Sequence, residues 1–199
     1  MKKTPIKPIT REELERVAFD ICYVIMQSAS YYTWEFFIKT QLRFNGNENL
    51  FEGNRAILSN SILEASLLFI RKLNSFFTKS KLNREQDDVY AFDFPGFMNY
   101  GWFLSKPEMD ELSIRVGHIT LREARLGKKK WELHDWILKA MNKSIPFLDY
   151  LIEPFFDGKP ELQERVKQHR QYALTTAKLI QTGKPILEQK VQLQTESGL

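Results

Sequence analysis

The sequence is poor in the residues and motifs that most often carry catalysis. It has one cysteine, Cys22, and three histidines in 199 residues. A single cysteine allows no intrachain disulfide and no site built on several thiolates. The sequence also lacks a Gly-rich phosphate loop, a dinucleotide-binding fingerprint, a His-Glu-x-x-His helix and a Gly-x-Ser-x-Gly turn. These absences argue against P-loop nucleotide hydrolysis and against hydride transfer on a Rossmann fold.

Long apolar runs are missing as well. No stretch of about 20 apolar residues occurs, and residues 1–5 lead into polar sequence instead of the apolar core of a signal peptide. We therefore expect a soluble, cytoplasmic protein without a membrane partner. The 29 basic residues face 25 acidic ones, which gives a formal net charge of only +4. This mild excess permits a nucleic-acid partner but does not require one.

Five segments carry the three- and four-residue spacing of apolar residues that is typical of amphipathic helices. They are Thr10 to Phe44, Arg55 to Lys79, Lys106 to about Arg122, Trp131 to Phe156, and Pro160 to about Ile180. No stretch shows the clean alternation of a half-buried strand. The pattern predicts an all-α fold, in which four helices form an up-and-down bundle and the fifth is added outside it.

Local signals refine this prediction. Thr10 with Glu13, and Ser105 with Glu108, have the spacing of capping boxes at helix N-termini. Pro146 is expected to bend or interrupt the fourth helix, because an interior proline removes a backbone donor. The aromatic-rich residues 80–104 are too apolar for disorder, so we expect them to pack by their own side chains or to serve function. We predict one helical domain over residues 1–182 and a flexible tail over 183–199.

A basic group around His118 is the main candidate for chemistry. Arg115, His118 and Arg122 have the i, i+3, i+7 spacing that places side chains on one helix face. Flanking cations would keep the imidazole neutral and available as a base, while the guanidinium groups bind phosphate oxygens. The same spacing also fits a structural histidine, with the arginines paired to the acidic loop. The carboxylates available there are Asp87, Asp88 and Asp93.

A second basic group follows in the sequence and has two readings. It consists of Arg125, Lys128, Lys129 and Lys130. These residues would suit contacts with phosphate or RNA, but three lysines before a helix are most often a solvated turn. The pair His134-Asp135 is of a type that binds metal ions, yet the chain has too few further histidines to complete such a site. We therefore expect no metal and no cofactor.

Four segments, taken in order, resemble a known group of proteins. They are the aromatic-rich stretch from Arg55 to Phe77, the loop from Asp87 to Phe94, the run Gly117-His118-Ile119-Thr120-Leu121-Arg122, and Lys130-Trp131-Glu132. Together they resemble an uncharacterised bacterial all-helical family that is itself similar to the HEPN superfamily. The resemblance covers roughly residues 55–156. It implies a helical bundle that is often dimeric, and either a metal-independent ribonuclease of a defence or toxin-antitoxin system or a non-catalytic binding module.

Two functional hypotheses follow from these observations. Active HEPN proteins resemble one another in an arginine placed a few residues before the histidine, whereas Glu111, Leu112 and Ser113 occupy that window here. This departure favours a non-catalytic interaction module with a protein or RNA partner. The alternative is a metal-independent endoribonuclease in which His118 acts as the acid-base group. We also expect a homodimer, because the first two helices carry more apolar surface than a small bundle covers.

Overall fold

A computed structural model describes residues 8–34, 48–78, 88–117 and 133–183, and it describes the side chains of all of these except 48–57 and 114–117. The described part is helical and contains no strand, so the predicted all-α class is confirmed there. Six α-helices are described: α1 (Arg11–Ser28), α2 (Ser30–Thr33), α3 (Glu48–Phe76), α4 (Lys106–Gly117), α5 (Leu133–Tyr150) and α6 (Pro160–Thr182). A 3₁₀ turn spans Ala91–Asp93, and a π-helical turn spans Leu151–Phe155.

Both predicted capping boxes are confirmed. At the start of α1, the Glu13 amide donates to Thr10 Oγ1 over 3.2 Å, and the Thr10 amide donates to Glu13 Oε2 over 2.7 Å. At the start of α4, the Ser105 amide donates to Glu108 Oε2 over 2.7 Å. These bonds satisfy amides that have no partner within the helix, and this fixes where each helix begins.

The first helix ends earlier than its apolar pattern predicts. Ser28 donates its hydroxyl to the Ile25 carbonyl over 2.7 Å, which offers that carbonyl a side-chain donor in addition to the backbone. Ala29 then leaves helical geometry at φ −102° and ψ 4°, and the chain restarts as the one-turn α2. The predicted helix to Phe44 is therefore wrong at Ala29, and the part of that prediction beyond Trp34 lies outside the described residues.

Pro146 does not interrupt α5, although the sequence predicts a bend or an interruption there. The helix continues through Pro146 to Tyr150. The carbonyl that loses its helical donor belongs to Asn142, an exposed residue, so solvent can replace the missing bond. The irregularity comes later, in the π-helical turn that contains Pro154.

Helix α6 corresponds to the fifth helix predicted from the sequence. It is part of the core, whereas the sequence pattern predicts it outside the bundle. It packs along α5 and also against α1, and α1 in turn contacts α3 and α5. Val166, Ala173 and Leu179 of α6 are buried. Gly183 ends the helix in the left-handed conformation at φ 63°, where a side chain would be strained. The predicted tail beyond residue 183 lies outside the described residues.

Cys22 lies on the buried side of α1, with no solvent exposure. Burial raises the pKa of its thiol to about 12, and the charge of Arg165 on α6 offsets only part of this effect. The side chain is therefore a neutral, small member of the core, as its apolar neighbours in the sequence predict.

The aromatic segment between α3 and α4 packs by its own side chains, as expected. Phe94 and Phe97 are buried, and their rings contact Phe147 of α5 edge-on at 5.0 and 5.1 Å. The buried Asn74 of α3 holds the end of this segment, because its Oδ1 accepts from the amides of Phe103 and Leu104, each over 2.9 Å. No helix in the described part of the chain is both long and apolar enough to cross a bilayer.

Candidate interaction surface

Most of the site residues expected from the sequence lie outside the described residues. These are Asp87, His118, Arg122, Arg125, Lys128, Lys129 and Lys130. Arg115 belongs to the last turn of α4, but its side chain is not among those described. The grouping of Arg115, His118 and Arg122 on one face therefore stays a prediction.

Asp88 and Asp93 are the two site residues whose side chains the structure places. Both carboxylates bind Tyr90: Asp88 Oδ2 accepts from the Tyr90 hydroxyl over 2.7 Å, and Asp93 Oδ2 accepts from the Tyr90 amide over 2.9 Å. Tyr90 also stacks on Phe92, with 5.2 Å between ring centroids. Asp88 and Asp93 thus stabilise the conformation of the chain around Tyr90, at the start of the aromatic segment.

A surface groove lies between α1 and α3. Its volume is about 690 Å³, and residues 88–90 also line it. The floor is apolar and the rim is charged. The apolar lining residues are Val17, Ile21, Val24, Phe76 and Val89. On the rim, α1 contributes Asp20, α3 contributes Arg71 and Lys72, and the segment after α3 contributes Asp88. The two helices therefore bring charge of opposite sign to the groove.

Exposed apolar side chains continue the groove along the same two helices. Tyr23 of α1 is 55% exposed, and Leu68 of α3 is 48% exposed. Tyr23 follows Asp20 by three residues, and Leu68 precedes Lys72 by four, so both lie one turn from the charged rim. We call this surface, formed by the groove together with Tyr23 and Leu68, the α1–α3 face.

Helices α1 and α3 run antiparallel, which fixes the levels of the charges on the α1–α3 face. The Tyr23 and Phe69 rings meet edge-on with centroids 5.8 Å apart, and Ser30 Oγ lies 2.8 Å from Ser66 Oγ. Residue numbers therefore rise along one helix where they fall along the other. The groove lies on one side of the Tyr23–Phe69 contact, towards the N-terminus of α1.

Other polar groups in the described part stabilise helix contacts. Trp136 Nε1 and Lys139 Nζ donate to Glu108 Oε1 over 3.0 and 2.9 Å, which ties α5 to the start of α4. His169 Nδ1 lies 3.0 Å from Met26 Sδ, between α6 and α1. Burial lowers the pKa of His169, and the charge of Arg165 lowers it further, so this ring is neutral at physiological pH.

The metal-ligand types do not gather within the described residues. There, no group of three or more His, Cys, Asp or Glu side chains could hold an ion. Of the His134-Asp135 pair, Asp135 binds Lys139 over 2.7 Å, and the His134 ring contacts Tyr32 edge-on at 5.4 Å. His134 and Asp135 therefore each contact another side chain of the protein.

The groove was not predicted from the sequence, although part of its signal is visible there. Arg71 and Lys72 interrupt an otherwise apolar stretch of α3, and Asp20 interrupts the apolar pattern of α1. Their meeting across one groove depends on the antiparallel register of two segments far apart in the chain, which periodicity does not encode. No family of proteins, no curated protein and no solved structure matches this chain.

Proposed function

We propose that this protein is a non-catalytic, HEPN-like helical interaction module that binds a second copy of itself through the α1–α3 face. The exposure of Tyr23 and Leu68 carries the proposal. Large apolar side chains that stand together beside a groove are typical of protein-binding surfaces, whereas single exposed ones are common on any protein. The charged rim suits such a surface, because protein interfaces surround an apolar centre with polar groups.

The first test is the mass of the protein in solution. Light scattering at micromolar concentration should give twice the 23.5 kDa mass of the chain. Leu68→Lys should weaken association by about tenfold or more, since dimerisation would bury an unpaired charge. Met98→Lys is the matched control, because Met98 is 77% exposed but is not among the residues that line the groove. A monomeric wild-type protein would overturn the proposed self-association.

The second test separates the module from an enzyme. Wild-type protein should leave single-stranded and structured RNAs intact, with and without a chelator. RNA cleavage that is lost in a normally folded His118→Ala variant would overturn the non-catalytic proposal and establish the endoribonuclease. The histidine would then transfer the proton of the attacking hydroxyl or of the leaving oxygen, and its loss should slow the reaction by about a hundredfold or more.

A further inference from the structure

The charges of the α1–α3 face lie at matching levels on its two helices. Asp20 precedes Tyr23 by three residues, and Lys72 follows Phe69 by three. At a rise of about 1.5 Å per residue, each therefore lies about 4.5 Å along its helix from the Tyr23–Phe69 contact. Because the helices are antiparallel, both displacements point the same way, so Asp20 and Lys72, which line the groove together with Arg71, lie at about the same level.

A second copy can cover this face in two simple two-fold arrangements. If the axis is parallel to the helices, α1 of one subunit lies on α3 of the partner subunit. The rotation does not change a residue's position along the helices, so residues that share a level in one subunit meet at that level across the interface. With the axis across the helices, α1 lies on α1 and α3 lies on α3. Both arrangements place apolar groups of the two faces in contact, so burial of apolar surface does not choose between them.

The charges on the α1–α3 face favour one of these two arrangements. The crossed arrangement, when centred on the groove, places the cations of α3 against the same cations of the partner subunit and Asp20 against its own copy. The parallel arrangement instead places Asp20 against the basic rim of the partner subunit, and the two-fold axis repeats this contact. Like charges brought together across an interface are strongly unfavourable, so they exclude one register while opposite charges select the other.

We infer that two copies pair about a two-fold axis parallel to α1 and α3, with Asp20 of each subunit against Arg71 and Lys72 of the partner subunit. This inference rests on the proposed function, since it specifies how the α1–α3 face binds its second copy. Tyr23 then lies at the level of Leu68 of the partner subunit, so apolar contacts continue beside the ion pairs. The assembled centre is a four-helix layer with two helices from each subunit.

A charge-exchange experiment tests this register. Asp20→Lys should weaken the homodimer by about tenfold, because lysine then meets a basic rim in both symmetric contacts. Lys72→Asp should do the same by placing two carboxylates together. Mixing these two variants should restore wild-type affinity, because each contact in the mixed dimer then joins opposite charges. Native mass spectrometry of chains with different tags measures the homodimers and the mixed dimer separately.

Controls make each outcome decisive. Asp20 and Lys72 are exposed, so both variants should keep the helical circular dichroism of the wild type. The double variant Arg71→Asp/Lys72→Asp provides a stronger reversal if the single change is screened by salt. Lys178→Asp, an exposed reversal on α6, should neither weaken the wild-type dimer nor rescue Asp20→Lys.

The failures of the two proposals are distinguishable. A dimer that Leu68→Lys disrupts, but whose charge variants do not recover on mixing, overturns the register and leaves the interaction face standing. A monomeric wild-type protein overturns both proposals. Weakened homodimers of both variants, with recovery to the wild-type affinity on mixing and no recovery with the Lys178→Asp control, support both proposals. Homodimers that are not weakened, with a mixed dimer tighter than the wild type, indicate the crossed arrangement and overturn the register.

Discussion

Glu108 shows how one side chain serves two helices. Its carboxylate caps the start of α4 through the Ser105 amide and binds Trp136 and Lys139 of α5. Burial by itself would raise the pKa of Glu108, but the hydrogen bonds from Ser105 and Lys139 and the charge of Lys139 outweigh it and hold the pKa at about 2. The ionised carboxylate is therefore favoured by folding, because the usual pKa of this group is 4.5.

This shift predicts a pH-dependent effect of Glu108→Gln. At pH 7 the variant should lose about 1 to 3 kcal/mol in the free energy of unfolding, the usual scale for hydrogen bonds to a charged group. The lowered pKa means that the contribution is complete above pH 4.5 and disappears as pH falls towards 2. Urea titrations of both proteins across this range measure the difference. A difference that stays constant down to pH 2 would contradict the role of the ionised form.

At the scale of elements, the aromatic segment between α3 and α4 depends on Asn74. The side chain is fully buried and accepts from two consecutive amides, those of Phe103 and Leu104. A buried amide without an acceptor costs more free energy than an ordinary hydrogen bond contributes. One carbonyl oxygen thus attaches the end of this connecting segment to the helical core.

We therefore expect Asn74→Ala to lower the free energy of unfolding by about 1 to 3 kcal/mol, because the buried Leu104 amide and the partly buried Phe103 amide lose their acceptor. Hydrogen exchange of the Phe103 and Leu104 amides should accelerate more than exchange in α5. Asn60→Ala, an exposed asparagine on the same helix, is the matched control and should be nearly neutral or slightly stabilising. Equal losses from both variants would contradict the proposed anchoring.

The elements also show what could be predicted from the sequence and what could not. The starts of α1 and α4 were predicted correctly, because the capping residues and the amides they satisfy lie within three positions of one another. The end of α1 and the passage of α5 through Pro146 were not, because these depend on a hydroxyl bond at Ser28 and on solvent at Asn142. The helical class follows from local periodicity, whereas the groove depends on how distant helices align.

At the scale of the whole molecule, self-association should appear as thermal stability that depends on concentration. If the folded chain pairs and the unfolded chain does not, mass action raises Tm as the protein concentration rises. Calorimetry of the wild type from about 1 to 100 times the dimer dissociation constant should show this increase, because the free energy of unfolding per chain rises by about 1 kcal/mol over that range. Leu68→Lys should show little change over the same range. A wild-type Tm that is independent of concentration would contradict the dimer.

Because Cys22 is buried, the rate of its chemical modification reports how often the surrounding core opens. Alkylating reagents attack the thiolate, and a group with a pKa of about 12 and no exposed surface supplies almost none of it at pH 8. Modification then has to wait until α1 separates from the helices packed on it. Because the chain has one cysteine, the increase in mass is all-or-none, and its rate measures how often this part of the core opens.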